Sequence, residues 1–315
     1  MLKDVVFGDK PKGLITHNFV YICHLWQGYF FKPLKESHVR SKMKRIQLFE
    51  FEDYDWFPSW LRVCMTNLIV VLHKLLGVSD VLANLVAQAL IKSKATQIVD
   101  LGSGSGGAMP EVMKILHGFD RYKNVNLIMT DLYPNAEVVT KFKSQNNPNI
   151  KYHESSVDAT DIANAPLGLK TMVNCFHHMN PKNARKILES AQKNKQPLLI
   201  YEMAQNNIPQ LVWWVLLPIS LAILMISVLF MTPFVKPLTW KQLVFTYIIP
   251  IIPICYAWDG QASMPRMYTL KDMDVLLEGL ETDEYTWEKA IMYRKKGKKL
   301  GTYVLGLPKV DTTNK

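Results

Sequence analysis

A glycine-rich turn at Gly102–Gly107 is the part of the sequence best suited to binding a small ligand. The apolar run Gln97–Leu101 precedes it, and a helix-like segment, Met109–His117, follows it. Glycines at alternate positions let the backbone turn sharply and lie directly against a ligand. The first amide groups of the following helix would point at the same place. Strand, turn and helix together predict a nucleotide-type cradle at the carboxyl end of a parallel strand.

Two acidic residues narrow the choice of ligand. Asp100 lies two residues before Gly102, where it could take up a cationic amine. A second apolar run, Val125–Met129, leads to Asp131, whose carboxylate could accept hydrogen bonds from both hydroxyls of a ribose. The turn also fits the dinucleotide pattern G-x-G-x-x-G, so a nicotinamide cofactor remains an alternative. A ligand with an amino-acid end and a nucleoside end describes S-adenosylmethionine better than NAD.

Four motifs resemble those of the class I S-adenosylmethionine-dependent methyltransferases, and they occur in that family's order. They are V-D-L-G-S-G-S-G at Val99–Gly106, M-T-D-L at Met129–Leu132, S-V-D-A at Ser156–Ala159 and V-N-C-F-H-H-M at Val173–Met179. The resemblance covers residues 97–203. It implies an α/β fold with a seven-stranded, doubly wound Rossmann-like sheet.

The resemblance also implies roles for individual residues. In that family the glycine turn contacts the methionine end of the cofactor, an acidic residue after the second strand holds the ribose, and an aspartate after the third strand lies near the adenine amine. The expected cofactor-binding residues are Asp100, Gly102, Ser103, Gly104, Gly106, Asp131, Leu132, Asp158, Ala159 and Asn174. Among them, Asn174 is expected to contact the methionine end.

The pair His177 and His178 is the candidate for proton removal. The methyl group of a sulfonium is already activated, so the protein mainly positions the acceptor, and a base is needed only for a protonated acceptor such as a hydroxyl. Histidine titrates near neutral pH. We expect the pair at the end of a fourth strand, Thr171–Phe176, where alternation directs one ring to the site and the other away. A structural role, or orientation of the cofactor, is the alternative.

Cysteine spacing and charge bear on other kinds of site. The four cysteines form no C-x-x-C pair and no zinc spacing, so no metal site is predicted. The net charge is +10, and basic clusters at 32–45 and 294–299 carry much of it. No nucleic-acid-binding motif accompanies them, so no nucleic-acid partner is predicted. They are interpreted as solvated faces or as contacts with anionic lipid.

A long charge-free stretch follows the motifs. No Asp, Glu, Lys or Arg occurs between 203 and 235, and a second charge-free run covers Gln242–Trp258. A helix of about 20 apolar residues can cross the hydrocarbon core of a membrane, and Leu211–Met231 has that length. Two prolines interrupt the second run and make it marginal as a span.

The expected strand order limits how this insert can meet a membrane. The fifth strand is predicted at Pro197–Met203, and two more at Tyr285–Tyr293 and Gly301–Leu307. If all join one sheet, the insert crosses a bilayer an even number of times or not at all. We favour a helical hairpin turning at Pro233–Lys241; a re-entrant or half-inserted pair and a buried hairpin in a soluble protein are the alternatives. The positive-inside rule then places the catalytic domain in the cytoplasm, although two lysines in the turn disfavour a full crossing.

The chain is accordingly divided into three regions. They are an N-terminal helical, membrane-proximal region (1–94), a methyltransferase domain (95–207 and 259–309) and a hydrophobic membrane insert (208–258). In the first region a membrane-surface helix is predicted at 14–31. Two further helices are predicted at 56–94, broken near Gly77, with Ser79 as the cap of the second. The aromatic and acidic segment 51–60 is interpreted as a lid or an ordinary loop.

Asp259, Arg266 and Tyr268 are the candidate acceptor-binding residues. They follow the insert, in a pattern D-G-x-x-S-x-x-R-x-Y that resembles uncharacterised bacterial methyltransferases. Arg266 is expected to bind a phosphate or carboxylate bidentately, or else to form a surface salt bridge. The sequence thus favours methyl transfer to a lipophilic, membrane-held acceptor. A nicotinamide-dependent membrane oxidoreductase and a non-catalytic S-adenosylmethionine-binding membrane scaffold are the alternatives.

Overall fold

The computed structural model describes residues 43–294 and 297–309. The membrane-surface helix expected at 14–31 lies outside these residues. So do most of the first basic cluster and two lysines of the second.

The described part of the chain contains one seven-stranded sheet in the order β3-β2-β1-β4-β5-β7-β6. The strands are β1 (Gln97–Leu101), β2 (Asn126–Thr130), β3 (Ile150–Tyr152), β4 (Leu169–Val173), β5 (Leu198–Glu202), β6 (Tyr285–Tyr293) and β7 (Lys299–Pro308). The first five are parallel, and β7 runs antiparallel to both β5 and β6. The expected doubly wound Rossmann-like sheet is confirmed, and both late strands join it.

Nine α-helices are described around this sheet. They are α1 (Ser59–Leu76), α2 (Val78–Ser93), α3 (Met109–Leu116), α4 (Ala136–Ser144), α5 (Pro181–Lys193), α6 (Gln210–Met231), α7 (Trp240–Tyr247), α8 (Ile251–Arg266) and α9 (Leu270–Leu277). The central strands are apolar on both faces, as strands covered by helices must be. Ile98 and Val99 of β1 and Leu198 and Leu199 of β5 are all fully buried. The strands β2 and β3 are added on one side of β1, and β4 and β5 on its other side, so the strand order changes direction between β1 and β4. Ligands are expected at the carboxyl ends of the strands at such a point.

The break between α1 and α2 falls at Gly77, as predicted, but Ser79 is not the cap. Gly77 has a φ of 72°, and its amide donates to carbonyl groups at the end of α1. The second helix starts at the next residue, Val78. Ser79 therefore lies in the first turn, where it is buried and makes no capping hydrogen bond.

The first helix lies across the carboxyl end of the sheet. At its start, Ser59 Oγ accepts a hydrogen bond from Asn135 Nδ2, in the segment that follows β2. Toward its end, His73 Nε2 lies 3.0 Å from Asn174 Nδ2, directly after β4. Since β2 and β4 flank β1, α1 covers the mouth of the glycine turn.

Three helices form the insert between β5 and β6. The segment Gln210–Phe234 contains an 18-residue window with a mean hydropathy of 2.5, and α7 and α8 form a second apolar unit bent by 80°. By length and composition α6 and α1 could each cross a membrane, and the bent unit could count as a third span. The helices α6 and α8 pack on each other and both pack on α1. Because α8 continues to Arg266, the expected end of the insert at 258 lies inside a helix.

One face of α6 is both apolar and exposed. Leu211, Val215, Ile219, Ile226 and Phe230 are all exposed, and their spacing places them along one side of the helix. A contiguous exposed apolar patch in a folded protein marks a surface that contacts a membrane or a partner.

Candidate functional site

Buried hydrogen bonds fix the glycine turn. The two carboxylate oxygens of Asp100 accept from Ser103 Oγ, at 2.6 Å, and from Thr171 Oγ1, at 2.7 Å. The Ser103 amide in turn donates to the carbonyl of Thr130 at 2.9 Å. Burial raises the pKa of Asp100 to about 6, and the hydrogen bonds from the two hydroxyl groups oppose that rise. Asp100, which was expected to bind an amine of the ligand, therefore stabilises the turn through buried hydrogen bonds.

The glycines of the turn face different surroundings. Gly104 has a φ of 51°, and a Cβ built on it would meet no atom within 4 Å. Gly106 has a φ of 107°, and its Cβ would lie 3.0 Å from the ring of Phe142. Gly104 thus faces open space at the carboxyl end of β1, whereas Gly106 permits close packing inside the protein.

Asp131 is fixed beside this open space. It is half-buried directly after β2. Its Oδ2 accepts from the Gly104 amide and its Oδ1 from the Tyr133 amide, both at 2.9 Å. Each carboxylate oxygen has a further lone pair. The position predicted to hold a ribose therefore lies against the turn with hydrogen-bonding capacity to spare, and Leu132 follows it as an exposed residue.

The other expected cofactor residues lie along the same edge of the sheet. The loop after β3 is tied to Asp131, whose carbonyl accepts from the Val157 amide at 2.9 Å. The next residue, Asp158, is exposed, and Ala159 follows it half-buried. After β4, Asn174 Oδ1 accepts from the Met203 amide at 2.8 Å, so this side chain links the ends of β4 and β5.

Substituting the two glycines separately tests which one borders the ligand. An alanine at either position adopts a left-handed backbone, which costs about 1–2 kcal/mol. Gly104→Ala is expected to weaken binding of S-adenosylhomocysteine at least about 10-fold, because its methyl group would occupy the open space. Gly106→Ala is expected to lower the unfolding temperature more, since Phe142 must move. Calorimetry and thermal unfolding measure the two effects, and equal effects of both variants on binding would contradict this assignment.

The two histidines are not arranged as expected. The fourth strand ends at Val173, because Asn174 adopts a left-handed φ of 53°. Both histidines belong to a 3-10 turn, Phe176–His178. Their ring centroids are only 4.3 Å apart, so the expectation that one ring points away is wrong. Alternation holds along a strand but not along a 3-10 turn.

A buried carboxylate orients His177. His177 Nδ1 lies 3.0 Å from Glu202 Oε2, and the His177 amide donates to Glu202 Oε1 at the same distance. Burial lowers the pKa of His177, but the Glu202 carboxylate outweighs burial, so that the pKa rises. The sequence reasoning missed Glu202, although an acidic residue ending the buried fifth strand was a usable signal.

His178 belongs to a network of ion pairs with the segment that was predicted as a lid or a loop. His178 Nδ1 lies 2.8 Å from Asp53 Oδ1. Arg266 Nη1 lies 2.6 Å from Asp53 Oδ2 and 2.8 Å from Glu50 Oε1. Burial would raise the pKa of Asp53, but hydrogen bonds from His178 and Arg266 outweigh it and hold the pKa below its usual value. Glu50 is the second residue of the site that sequence reasoning missed.

The three candidate acceptor-binding residues lie close to the histidines but are already engaged. Arg266 is fully buried, so a surface salt bridge is excluded for it. The Asp259 carboxylate accepts the backbone amides of Phe51 and Glu52, at 2.8 and 3.2 Å. Tyr268 donates its hydroxyl to the carbonyl of Met179 at 2.7 Å. These side chains join the insert to the histidine turn.

No protein-family model matches the sequence, and no curated protein matches it. Solved structures of methyltransferases do match this chain. The pyocyanin biosynthetic protein PhzM is 10% identical with a TM-score of 0.37, over 68% of this chain and 50% of PhzM. An S-adenosylmethionine-dependent methyltransferase from Aquifex aeolicus is 12% identical with a TM-score of 0.37, over 72% and 88%.

A third match is human N-acetylserotonin methyltransferase in complex with S-adenosylmethionine. It is 14% identical with a TM-score of 0.39, over 72% of this chain and 52% of the human protein. The chain thus spans about half the length of PhzM and of the human enzyme. At such identities a likeness concerns the fold alone, and the fold class rests on the order and directions of the strands described above.

Proposed function

We propose that the protein transfers a methyl group from S-adenosylmethionine to a lipophilic acceptor held in the membrane. One observation carries the proposal. At the carboxyl ends of β1 and β2, the Asp131 carboxylate is fixed 2.9 Å from the amide of Gly104, whose α-carbon faces open space. This pairing provides a ribose-binding acid beside a backbone that a ligand can approach closely.

The residues present fit this cofactor. Bound there, S-adenosylmethionine would supply a methyl group that is already activated for transfer. Asp131 would accept hydrogen bonds from the ribose, and Gly104 would leave room for the chain of atoms next to it. Because Asp100 is held by Ser103 and Thr171, its part is to keep the turn in place. The antiparallel β7 favours this cofactor over a dinucleotide, whose usual sheet has six parallel strands.

The polar groups next to this edge of the sheet are suited to handling an oxygen of the acceptor. His177 can donate through Nδ1 to Glu202, which leaves the lone pair of Nε2 available. His178 is held in the same way by Asp53. Proton removal from a hydroxyl is thus the chemistry that this part of the chain would contribute.

The exposed apolar face of α6 supports a membrane-held acceptor. The helices α6 and α8 pack on α1, which covers the site. The ring centroids of Phe245 in α7 and Trp60 at the start of α1 are 4.6 Å apart. In the middle of α8, Asp259 accepts a hydrogen bond from the Phe51 amide, in the segment that contacts His178. The insert therefore packs on the first helix and on the segment that contacts the histidines. We propose that it lies half-inserted along the bilayer surface, with the catalytic domain on the cytoplasmic side and the basic clusters near anionic lipid.

Transfer of labelled methyl groups tests the function. The intact protein in lipid vesicles is incubated with methyl-labelled S-adenosylmethionine and a membrane lipid extract, and label is then measured in the organic and aqueous phases. We expect label in a lipid that the extract alone does not form. Label only in a water-soluble product would contradict the lipophilic acceptor.

The same preparation separates the two alternatives. Binding of S-adenosylhomocysteine without transfer to any lipid would favour a non-catalytic scaffold. Tight binding of NADH, with no affinity for S-adenosylhomocysteine, would favour the membrane oxidoreductase.

A further inference from the structure

We infer that Glu50, His177 and His178 form a binding site for a divalent transition-metal ion. Each of the three offers one ligand atom, and these atoms all lie within 4.8 Å of one another. No metal site was expected, because the cysteines have no zinc spacing and Glu50 is distant in sequence from the histidines. The fold brings Glu50 onto the 3-10 turn that carries both rings.

The second observation is a buried nitrogen without a partner. His177 is 3% exposed, and its Nε2 has no hydrogen-bond partner among the residues that the structure describes. Buried polar atoms are nearly always satisfied, and leaving one without a partner costs about 1–3 kcal/mol. When the neutral ring donates through Nδ1 to Glu202, Nε2 presents a lone pair. A metal ion would satisfy it.

Both rings also have the outer support that metal-binding histidines need. His177 Nδ1 lies 3.0 Å from Glu202, and His178 Nδ1 lies 2.8 Å from Asp53. A carboxylate on one ring nitrogen fixes the tautomer and makes the other a better ligand. His178 Nε2 lies 3.8 Å from Glu50 Oε2, so the second ring presents the atom that the site requires.

Charge at the site is compatible with a cation. Arg266 Nη1 pairs with Glu50 Oε1, at 2.8 Å, and with Asp53 Oδ2, at 2.6 Å. This contact takes one oxygen of Glu50 and leaves Oε2 on the side of His178. Glu50, Asp53 and Glu202 carry three negative charges, against two positive charges on Arg266 and on Arg45, whose Nη2 donates to the His177 carbonyl at 2.6 Å. The cluster therefore keeps a net negative charge, which favours a cation.

The donor set indicates the class of ion. Two imidazole nitrogens and one carboxylate oxygen suit Zn²⁺ or Fe²⁺ better than Mg²⁺ or Ca²⁺, which prefer oxygen alone. Three protein ligands leave a coordination position for an oxygen of water or of an acceptor. The site goes beyond the proposed function, because a bound ion would occupy the Nε2 atoms that remove a proton in the metal-free protein, and metal binding is measured without methyl transfer.

Titration with Co²⁺ and Zn²⁺ tests the inference on the full chain in detergent, after treatment with a chelator. We expect one ion per chain, with the visible absorption that Co²⁺ shows in a site of low coordination number. Glu50→Gln and His178→Ala are each expected to weaken binding at least about 10-fold, as loss of a ligand should. The matched control is His117→Ala, whose ring lies at the end of α3 and bonds the Val125 carbonyl. It should bind the ion like the unsubstituted protein.

Three results would overturn the inference. One is no binding by the unsubstituted protein, and another is binding that persists in both ligand variants. The third is a Co²⁺ spectrum with thiolate charge-transfer bands, which would place the ion on a cysteine. Thermal unfolding without metal shows whether each variant is folded. If Glu50→Gln does not fold, His178→Ala still decides the question, because this side chain is 24% exposed and tolerates truncation better.

Discussion

Asp131→Ala is expected to lower the affinity for S-adenosylhomocysteine by at least about 100-fold. Each hydrogen bond to a charged group contributes about 1.5–3 kcal/mol, and a ribose offers two hydroxyls. Every 1.4 kcal/mol is about a factor of 10 in affinity. We expect micromolar binding by the intact, detergent-solubilised protein, and calorimetry measures the difference.

The control for this variant must separate the ribose contact from the structure of the turn. Asp131 also accepts the amides of Gly104 and Tyr133, so its removal loosens the loop. Asp131→Asn keeps the volume and one accepting oxygen, and should therefore retain an intermediate affinity. Asp120→Ala removes an exposed carboxylate paired with Lys123 and should change nothing. Unaltered binding in Asp131→Ala would show that the ribose is held elsewhere.

The cofactor-binding part of the site could be predicted because its residues lie on neighbouring strands and on one continuous strand, turn and helix. Strand, glycine turn and helix are contiguous, and β1 is observed at the predicted Gln97–Leu101. The contact of Asp131 with Gly104 follows from the rule that carboxyl ends of neighbouring parallel strands meet at one edge. The same edge contains Asn174, so most of the expected cofactor residues are brought together by the sheet alone.

The arrangement around the histidines and Arg266, and the hydrogen bonds of Asp100, depend on contacts between segments that are distant in sequence. Such contacts leave no pattern in the sequence. Asp100 was expected to meet a ligand, yet Thr171 of the neighbouring strand takes one of its oxygens. Arg266 was expected to bind a phosphate or carboxylate or to form a surface salt bridge, but Glu50 and Asp53 pair with it and it is buried. The fourth strand was predicted at Thr171–Phe176, but it ends at Val173 because Asn174 adopts a left-handed conformation. The end of the strand depends on backbone conformation, and the partners of Asp100 and Arg266 depend on long-range pairing. Neither produces a periodic pattern in the sequence.

The outcome for the insert follows the same logic. Hydropathy alone favoured a hairpin crossing the bilayer, since α6 is long enough. The contacts of α6 and α8 with α1, and of α7 with Trp60, could not be read from composition. They hold the apolar helices against α1 at the mouth of the site, which favours a half-inserted arrangement over a hairpin that crosses the bilayer.

A cysteine placed at Lys236 is expected to be fully accessible from the side of the catalytic domain. Lys236 is exposed in the connection between α6 and α7. A hairpin that crosses the bilayer would carry this connection to the far side, whereas a half-inserted one keeps it near Trp60 and the catalytic domain. Protein added to preformed sealed vesicles therefore exposes Lys236→Cys to a membrane-impermeant maleimide. Labelling should be nearly complete before any detergent is added.

Lys193→Cys, at the exposed end of α5, is the matched control, and the unsubstituted protein measures background from the native cysteines. Equal labelling of the two variants on floated vesicles supports a helix pair lying along the surface. If only Lys193→Cys reacts until the vesicles are dissolved, the insert crosses the membrane and the contacts with α1 must rearrange. If the protein does not float with the vesicles, the exposed apolar face of α6 binds a partner other than the membrane. The membrane-held acceptor would then lose its main support, while the cofactor site would stand unaffected.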